Sequence, residues 1–139
     1  HNFGAIIRTC EAAGVKSIII PKDRSVSVND TVIKTSVGTT NNVNIIKVTN
    51  LNNTIKELQD MGYFIYGTDM LGKDIRECNF EQKKVLIIGN EGKGMSEKTR
   101  KNCDFLVKIP MKGKVTSLNA SVSTGIIVYE AVKQRFKNN

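Results

Sequence analysis

Apolar and polar positions change period repeatedly along this chain, and the changes predict its elements. "NFGAIIRTCEAAG" (2–14) has apolar residues at helical spacing, with Asn2 as N-cap and Gly14 as stop. "VKSIII" (15–20) is a continuous apolar run that predicts a strand, stopped by Pro21. "VNDTVIKTSVG" (28–38) predicts a short helix capped by Asn29 or Asp30. "NVNIIKV" (42–48) predicts a second strand, and "NLNNTIKELQDMG" (50–62) a helix ending at Gly62. "YFIYGTD" (63–69) and "KVLIIGN" (84–90) predict the third and fourth strands. "SEKTRKNC" (96–103) predicts a short helix opening at Ser96, with Thr99 where a full capping box would place an acid. "FLVKI" (105–109) predicts a fifth strand, and "NASVSTGIIVYEAVKQRF" (119–136) a long amphipathic helix.

Strands of nearly unbroken apolar residues, alternating with helices, predict an α/β fold with a parallel sheet flanked by helices. No internal repeat or linker-like stretch divides it, so residues 1–139 are expected to form one domain. Because the chain opens at His1 and runs at once into a helical pattern, an upstream part is expected to be missing. His1 itself is assigned no chemistry. In open parallel sheets, ligands sit at the carboxyl ends of strands. Three segments fall there: "GTDM" (67–70), "GNEGKG" (89–94) and "PMKGKVTSLN" (110–119).

With 139 residues at 40% hydrophobic content, the chain is long enough for a real core. Lys and Arg number 21 against 13 Asp and Glu, a net charge of +8 that leans toward an anionic partner, nucleic acid first. The three cysteines, Cys10, Cys78 and Cys103, lack CxxC spacing. They predict free thiols in a reducing cytoplasm rather than a disulfide framework, and no metal is expected. No apolar run approaches the length of a membrane span, so no membrane partner is expected.

"IGNEGKGM" (88–95) carries the sharpest local signal, since glycines at a strand end admit close approach to the backbone. A Walker A loop needs GxxxxGK followed by Ser or Thr, but Lys93 is followed by Gly94. A Rossmann fingerprint needs GxGxxG after the first strand; here Gly89, Gly92 and Gly94 read GxxGxG after the fourth. Flavodoxin-like and NAD-binding readings fail with it. An ordinary Gly-rich turn remains the alternative for this loop taken alone.

Taken with "NFGAIIRTCEAAG" and "KIPMKGKVTSLNASVSTGIIVYEA", the loop resembles the three motifs of the SpoU (TrmH) branch of the SPOUT methyltransferases. "IIPKDRS" and "YGTDM" add a likeness to the 23S rRNA guanosine-2'-O-methyltransferase (RlmB-like) subgroup. The resemblance implies a SPOUT-type fold with a C-terminal trefoil knot, a homodimer, and transfer of a methyl group from S-adenosylmethionine to a ribose 2'-hydroxyl of RNA, with rRNA as the substrate. A small N-terminal substrate-recognition domain, usual in the subgroup, has no counterpart in this chain. A tRNA ribose methyltransferase and a non-catalytic SPOUT-like RNA-binding module stay open as alternatives.

Residue by residue, the resemblance implies catalytic roles for Arg8, Asn2, Glu91, Ser117 and Asn119. Arg8 is guanidinium at ordinary pH, so it is expected to clamp the RNA phosphate and polarise the 2'-hydroxyl rather than act as a simple base. The same resemblance implies cofactor contacts at Thr68, Gly89, Glu91, Ile109, Met111, Ser117 and Leu118, several through main-chain groups. Independently of it, Asn2, Ser117 and Asn119 fit as helix caps, while Ile109 and Leu118 fit equally well in a core.

Overall fold

β-Branched runs set the strands of this protein. The computed structural model describes residues 3–22, 30–35, 43–80, 83–89, 94–114 and 118–133. Its strands are β1 (Ser17–Pro21), β2 (Thr31–Thr35), β3 (Asn44–Val48), β4 (Phe64–Asp74), β5 (Lys84–Ile88) and β6 (Phe105–Lys108). Its helices are α1 (Phe3–Ala12), α2 (Leu51–Asp60), α3 (Glu97–Lys101) and α4 (Ala120–Val132). The strands form one sheet in the order β3-β1-β2-β5-β4-β6.

The helix expected over 28–38 is corrected: residues 31–35 form strand β2, and the rest of that stretch apart from Asp30 lies outside the described residues. Thr31, Val32, Ile33 and Thr35 are β-branched, stiff at χ1 and suited to a pleated surface. The strand sits between β1 and β5, pairing Ile33 with Ile18 on one side and with Leu86 on the other. Val32 and Ile33 point to opposite faces and both are fully buried, a two-sided burial that a short surface helix does not offer. The Thr35 hydroxyl donates to the Lys84 carbonyl at 2.8 Å, closing the far end.

β2 runs antiparallel to both neighbours, so the sheet is mixed. The parallel arrangement holds for β1 with β3, β4 with β5, and β4 with β6, and every strand but β2 therefore runs the same way.

Two apolar layers cover the sheet. Ile18, Ile20, Leu86, Ile88 and Val107 face Ile6 and Cys10 of α1 and Ile127, Val128 and Ala131 of α4. Ile19, Val85, Ile87 and Ile65 face Ile55 and Leu58 of α2. Burial on both faces is what makes "SIII" and "VLII" read as unbroken apolar runs. Each fully buried aliphatic side chain contributes about 1.5–3 kcal/mol. The edge strands are the exceptions: β3 pairs only with β1 and leaves Ile45 and Ile46 exposed at 39% and 38%, and β6 pairs only with β4 and leaves Phe105 exposed at 45%.

Of the expected caps, Ser96 and Asn119 hold, Asn2, Asn29 and Ser117 lie outside the described residues, and Asp30 precedes a strand; Asn50 is a further cap. Asn50 accepts from the Asn53 N–H, Ser96 from the Thr99 N–H, and Asn119 from the Ser121 N–H. The Ser96 hydroxyl also meets the Thr99 hydroxyl at 2.9 Å, so Thr99 serves where a capping box has an acid. Gly14 and Gly62 end α1 and α2 at φ of 83° and 94°, which a side chain disfavours. No helix among the described residues is long and apolar enough to cross a membrane.

Cys10, Cys78 and Cys103 are all free thiols. Burial pushes Cys10 and Cys103 from 9.0 up to about 12. A thiol raised on folding stabilises the native state below its unfolded pKa, and that contribution drains as pH rises from 9.0 toward about 12. Stability is therefore expected to fall through that window, with Cys10 alone contributing a slope of up to about 1.4 kcal/mol per pH unit. Denaturant titrations across the window check this, and Cys10→Ala should flatten the slope. At pH near 8, a disulfide reagent is expected to label Cys78 first and Cys10 only on unfolding.

Candidate functional site

The adjacent strands β5, β4 and β6 bring their carboxyl ends together, and the sequence puts a glycine or a small polar residue at two of them. Thr68, inside β4, donates its hydroxyl to the Ile87 carbonyl at 3.2 Å and accepts from the Gly89 N–H at 3.0 Å. One side chain thus straps β4 to the end of β5. A Cβ on Gly89 would lie 2.7 Å from the Met95 nitrogen and 2.9 Å from the Gly94 carbonyl carbon. Gly94 has φ +73°, a left-handed conformation that closes the loop back on its own start. Beside it, a Cβ on Gly67 would lie 2.5 Å from Cys103 Sγ and 2.8 Å from Met95 Cε. What comes close to these glycines is therefore the chain itself. Among the described residues, an added Cβ at Gly94 or Gly113 meets nothing within 4 Å, so the space on that side of each is open.

Beyond Thr68 the chain leaves the sheet and returns. Thr68 and Lys73 both pair with Val107, so residues 69–72 form an excursion from the ladder. Gly72 permits the return: a Cβ there would lie 2.5 Å from the Val107 nitrogen. Asp69 anchors the departure. Its Oδ1 accepts from the Leu71 N–H at 2.8 Å, and its Oδ2 accepts from Arg100 Nε of α3 at 2.9 Å. The side chains of Arg100 and Asp69 are 33% and 19% exposed, so the pair is partly shielded from water. Sequence reading singled out neither partner. Asp two residues before an N–H is a recognisable turn signal, but the arginine lies 31 residues away.

The other expected site residues separate into groups. Arg8 is exposed on α1, away from the buried Ile6 and Cys10. Asn119 caps α4 and also accepts from the Ser121 hydroxyl at 2.6 Å. Ile109 is half-buried against the core layer of α1 and α4; Leu118 is half-buried and Met111 exposed. Thr68 and Gly89 are brought together directly, whereas Arg8, Met111, Leu118 and Asn119 share no hydrogen bond with that pair among the described residues. Asn2, Glu91 and Ser117 lie outside the described residues.

Thr68→Val is expected to strand the Gly89 N–H and cost about 1–3 kcal/mol, while Thr68→Ser costs less. Thermal unfolding of both variants checks it. Gly72→Ala and Gly89→Ala press on backbone and should each cost about 1–3 kcal/mol. Gly67→Ala presses only on the ends of Cys103 and Met95, so it should cost less, and Gly113→Ala should cost nothing.

Comparison with known proteins places this geometry. The model of the SpoU rRNA Methylase family matches residues 1–129. The 23S rRNA (guanosine-2'-O-)-methyltransferase RlmB of Neisseria meningitidis is 46% identical over 100% of this chain and 56% of its own length. RlmB of Ralstonia nicotianae is 47% identical over 97% of this chain and 55% of its own. The chain thus spans just over half the length of these relatives. Among solved structures, the A. aeolicus TrmH/SpoU tRNA modifying enzyme superposes with a TM-score of 0.81 at 33% identity, over 99% of this chain and 71% of that one. The SpoU methyltransferase AviRb from Streptomyces viridochromogenes, in complex with the cofactor AdoMet, gives 0.76 at 30% identity, over 98% and 56%. With the family model matching residues 1–129, the chain belongs to the SpoU rRNA methylase family.

Proposed function

We propose that this chain transfers a methyl group from S-adenosylmethionine to a ribose 2'-hydroxyl of RNA, with a guanosine of 23S rRNA as target. The observation that carries the reading is the strapped junction of Thr68 and Gly89, with Gly94 packed against it and open on its own Cβ side among the described residues, in a chain of this family. Main-chain groups at neighbouring strand ends suit a flat, polar ligand held in a bent form. Thr68 and Gly89 form that junction, Ile109 and Met111 follow the end of β6, Leu118 stands just before α4, and Glu91 and Ser117 belong to the same two loops by sequence. Bound there, S-adenosylmethionine supplies a methyl group already activated by its positive sulfur.

Arg8 is assigned the RNA side. It is exposed, it makes no ion pair among the described residues, and its planar fork suits a phosphate held in two-point contact. Asn119 holds the start of α4 and offers its amide to the ribose, so cap and site role coincide; Asn2 is assigned to the opening of α1. Positioning is the main need, since bringing two reactants together can be worth roughly 7–11 kcal/mol.

The homodimer reading is supported by α4, where Val122, Ile126 and Tyr129 are 50%, 39% and 43% exposed at the i, i+4, i+7 spacing of one helix stripe. The C-terminal trefoil knot is proposed on the family likeness. A cytoplasmic location fits an rRNA substrate. A tRNA ribose target is the second reading, favoured by the close superposition on the A. aeolicus tRNA modifying enzyme.

Calorimetric titration is expected to show saturable binding of S-adenosylhomocysteine and none of NADH; the reverse pattern would sink the proposal. Arg8→Lys should lower kcat by about a hundredfold with cofactor affinity unchanged, and near-normal turnover would remove Arg8 from the site. Asn119→Ala should lose methyl transfer at a cap-sized stability cost of about 1 kcal/mol. Mapping 2'-O-methylation on cellular RNA with and without the protein separates rRNA from tRNA.

A further inference from the structure

The excursion of residues 69–72 ends in two side chains that nothing in the fold uses. Met70 and Leu71 are 70% and 83% exposed, more than any other large hydrophobic side chain among the described residues. Their backbone is nonetheless held firmly. Asp69 fixes the Leu71 N–H and is itself held by Arg100, while Gly72 is pressed against the Val107 backbone. An apolar tip that is ordered yet exposed keeps its apolar surface in water with no core to relieve it, which marks it as a contact surface for a partner.

Charge says which partner. Lys73, Lys108, Lys112 and Lys114 follow the tip along β4, β6 and the loop after β6, all exposed and none in an ion pair among the described residues. Asp69 is occupied by Arg100, and Asp74 by Arg76 at 2.7 Å, which holds the Asp74 carboxyl below its usual range; Glu77, exposed and in no ion pair among the described residues, lies near Arg76 and leaves the balance with the lysines. A second copy of this chain would bring the same cations against these and be repelled. A polyanion with apolar faces fits both features, and RNA is such a ligand. Met and Leu are also residue types that wedge between base steps.

Resting on the RNA-methylation reading, we propose that Met70–Leu71 is a wedge that holds open a base step next to the target nucleotide, with the lysines on the flanking phosphates. Met70 lies two positions beyond Thr68, at most about 7 Å along the chain, so the wedge stands beside the cofactor junction. An unstacked neighbour exposes the ribose face that the transfer must reach.

The test is fluorescence anisotropy of the full chain with a short single-stranded oligoribonucleotide and with a blunt duplex of the same sequence. The double variant Met70→Ser/Leu71→Ser should weaken single-strand binding roughly tenfold, as loss of a base contact does, and leave duplex binding unchanged. Its salt dependence should match that of the unaltered chain, because the lysines remain. S-adenosylhomocysteine affinity, melting temperature and oligomeric state should also stay the same. Unchanged single-strand affinity, or equal loss on both RNAs, overturns the wedge. A change in oligomeric state would instead make the tip a self-contact, and loss of S-adenosylhomocysteine binding would make it part of the cofactor wall; either also overturns it. Failure of the unaltered chain to bind S-adenosylhomocysteine would sink the methylation reading separately, since the RNA measurement does not depend on it.

Discussion

The junction between Thr68 of β4 and the end of β5 is the constraint on which the rest of the site depends. A single hydroxyl, that of Thr68, takes the Gly89 N–H and gives its proton to the Ile87 carbonyl. Each such bond is worth only about 1 kcal/mol net. Their importance is geometric, because they fix where the chain leaves the sheet after β5 and how far it can stand from β4. Gly89 must then lack a side chain, since the returning Gly94–Met95 backbone occupies the space a Cβ would take. From this one joint follow the closed glycine loop, the start of α3 behind it, and the anchoring of Arg100 on Asp69.

Much of this fold was legible in local pattern. Asn50, Ser96 and Asn119 are caps by residue type and by geometry, and Gly14 and Gly62 stop their helices with the positive φ that glycine permits. β2 was not legible, because the polar Asn29–Asp30 pair imitates a helix start while the reason for the strand is tertiary. Val32 and Ile33 are drawn into a gap between β1 and β5 that exists only once those strands are placed. The full length of β4 was hidden for a related reason. "GTD" reads as a terminus, yet the strand resumes at Lys73 after the excursion and pairs again with the same Val107.

The site was legible as a set of strand ends and a glycine spacing, and less so as contacts. Thr68 was picked out through family likeness as a cofactor residue, and its hydroxyl is spent on backbone groups. The two roles are compatible, because a strap that orients the Gly89 amide also shapes the main chain a ligand would meet. The Asp69–Arg100 pair escaped because no local period links β4 to α3. Ion pairs between distant segments leave no trace in spacing, and only packing brings them together.

Glycines near the strand ends divide by what approaches them. At Gly67, Gly72 and Gly89 the space of the missing side chain is filled by this chain: by Cys103 and Met95, by Val107, and by Gly94–Met95. At Gly94 and Gly113 it is empty. A glycine cluster therefore does not by itself announce a ligand, since its first duty here is to let the chain pack on its own backbone. Ligand approach is left to the glycines whose surroundings stay open, and both of these lie in loops rather than strands. That division is why neither nucleotide fingerprint fits the loop. A phosphate cradle wants successive free amides at a helix start, whereas here the amide of Gly89 is taken by Thr68 and its Cβ space by Gly94–Met95. What remains open suits a ligand recognised along main chain from two separate loops.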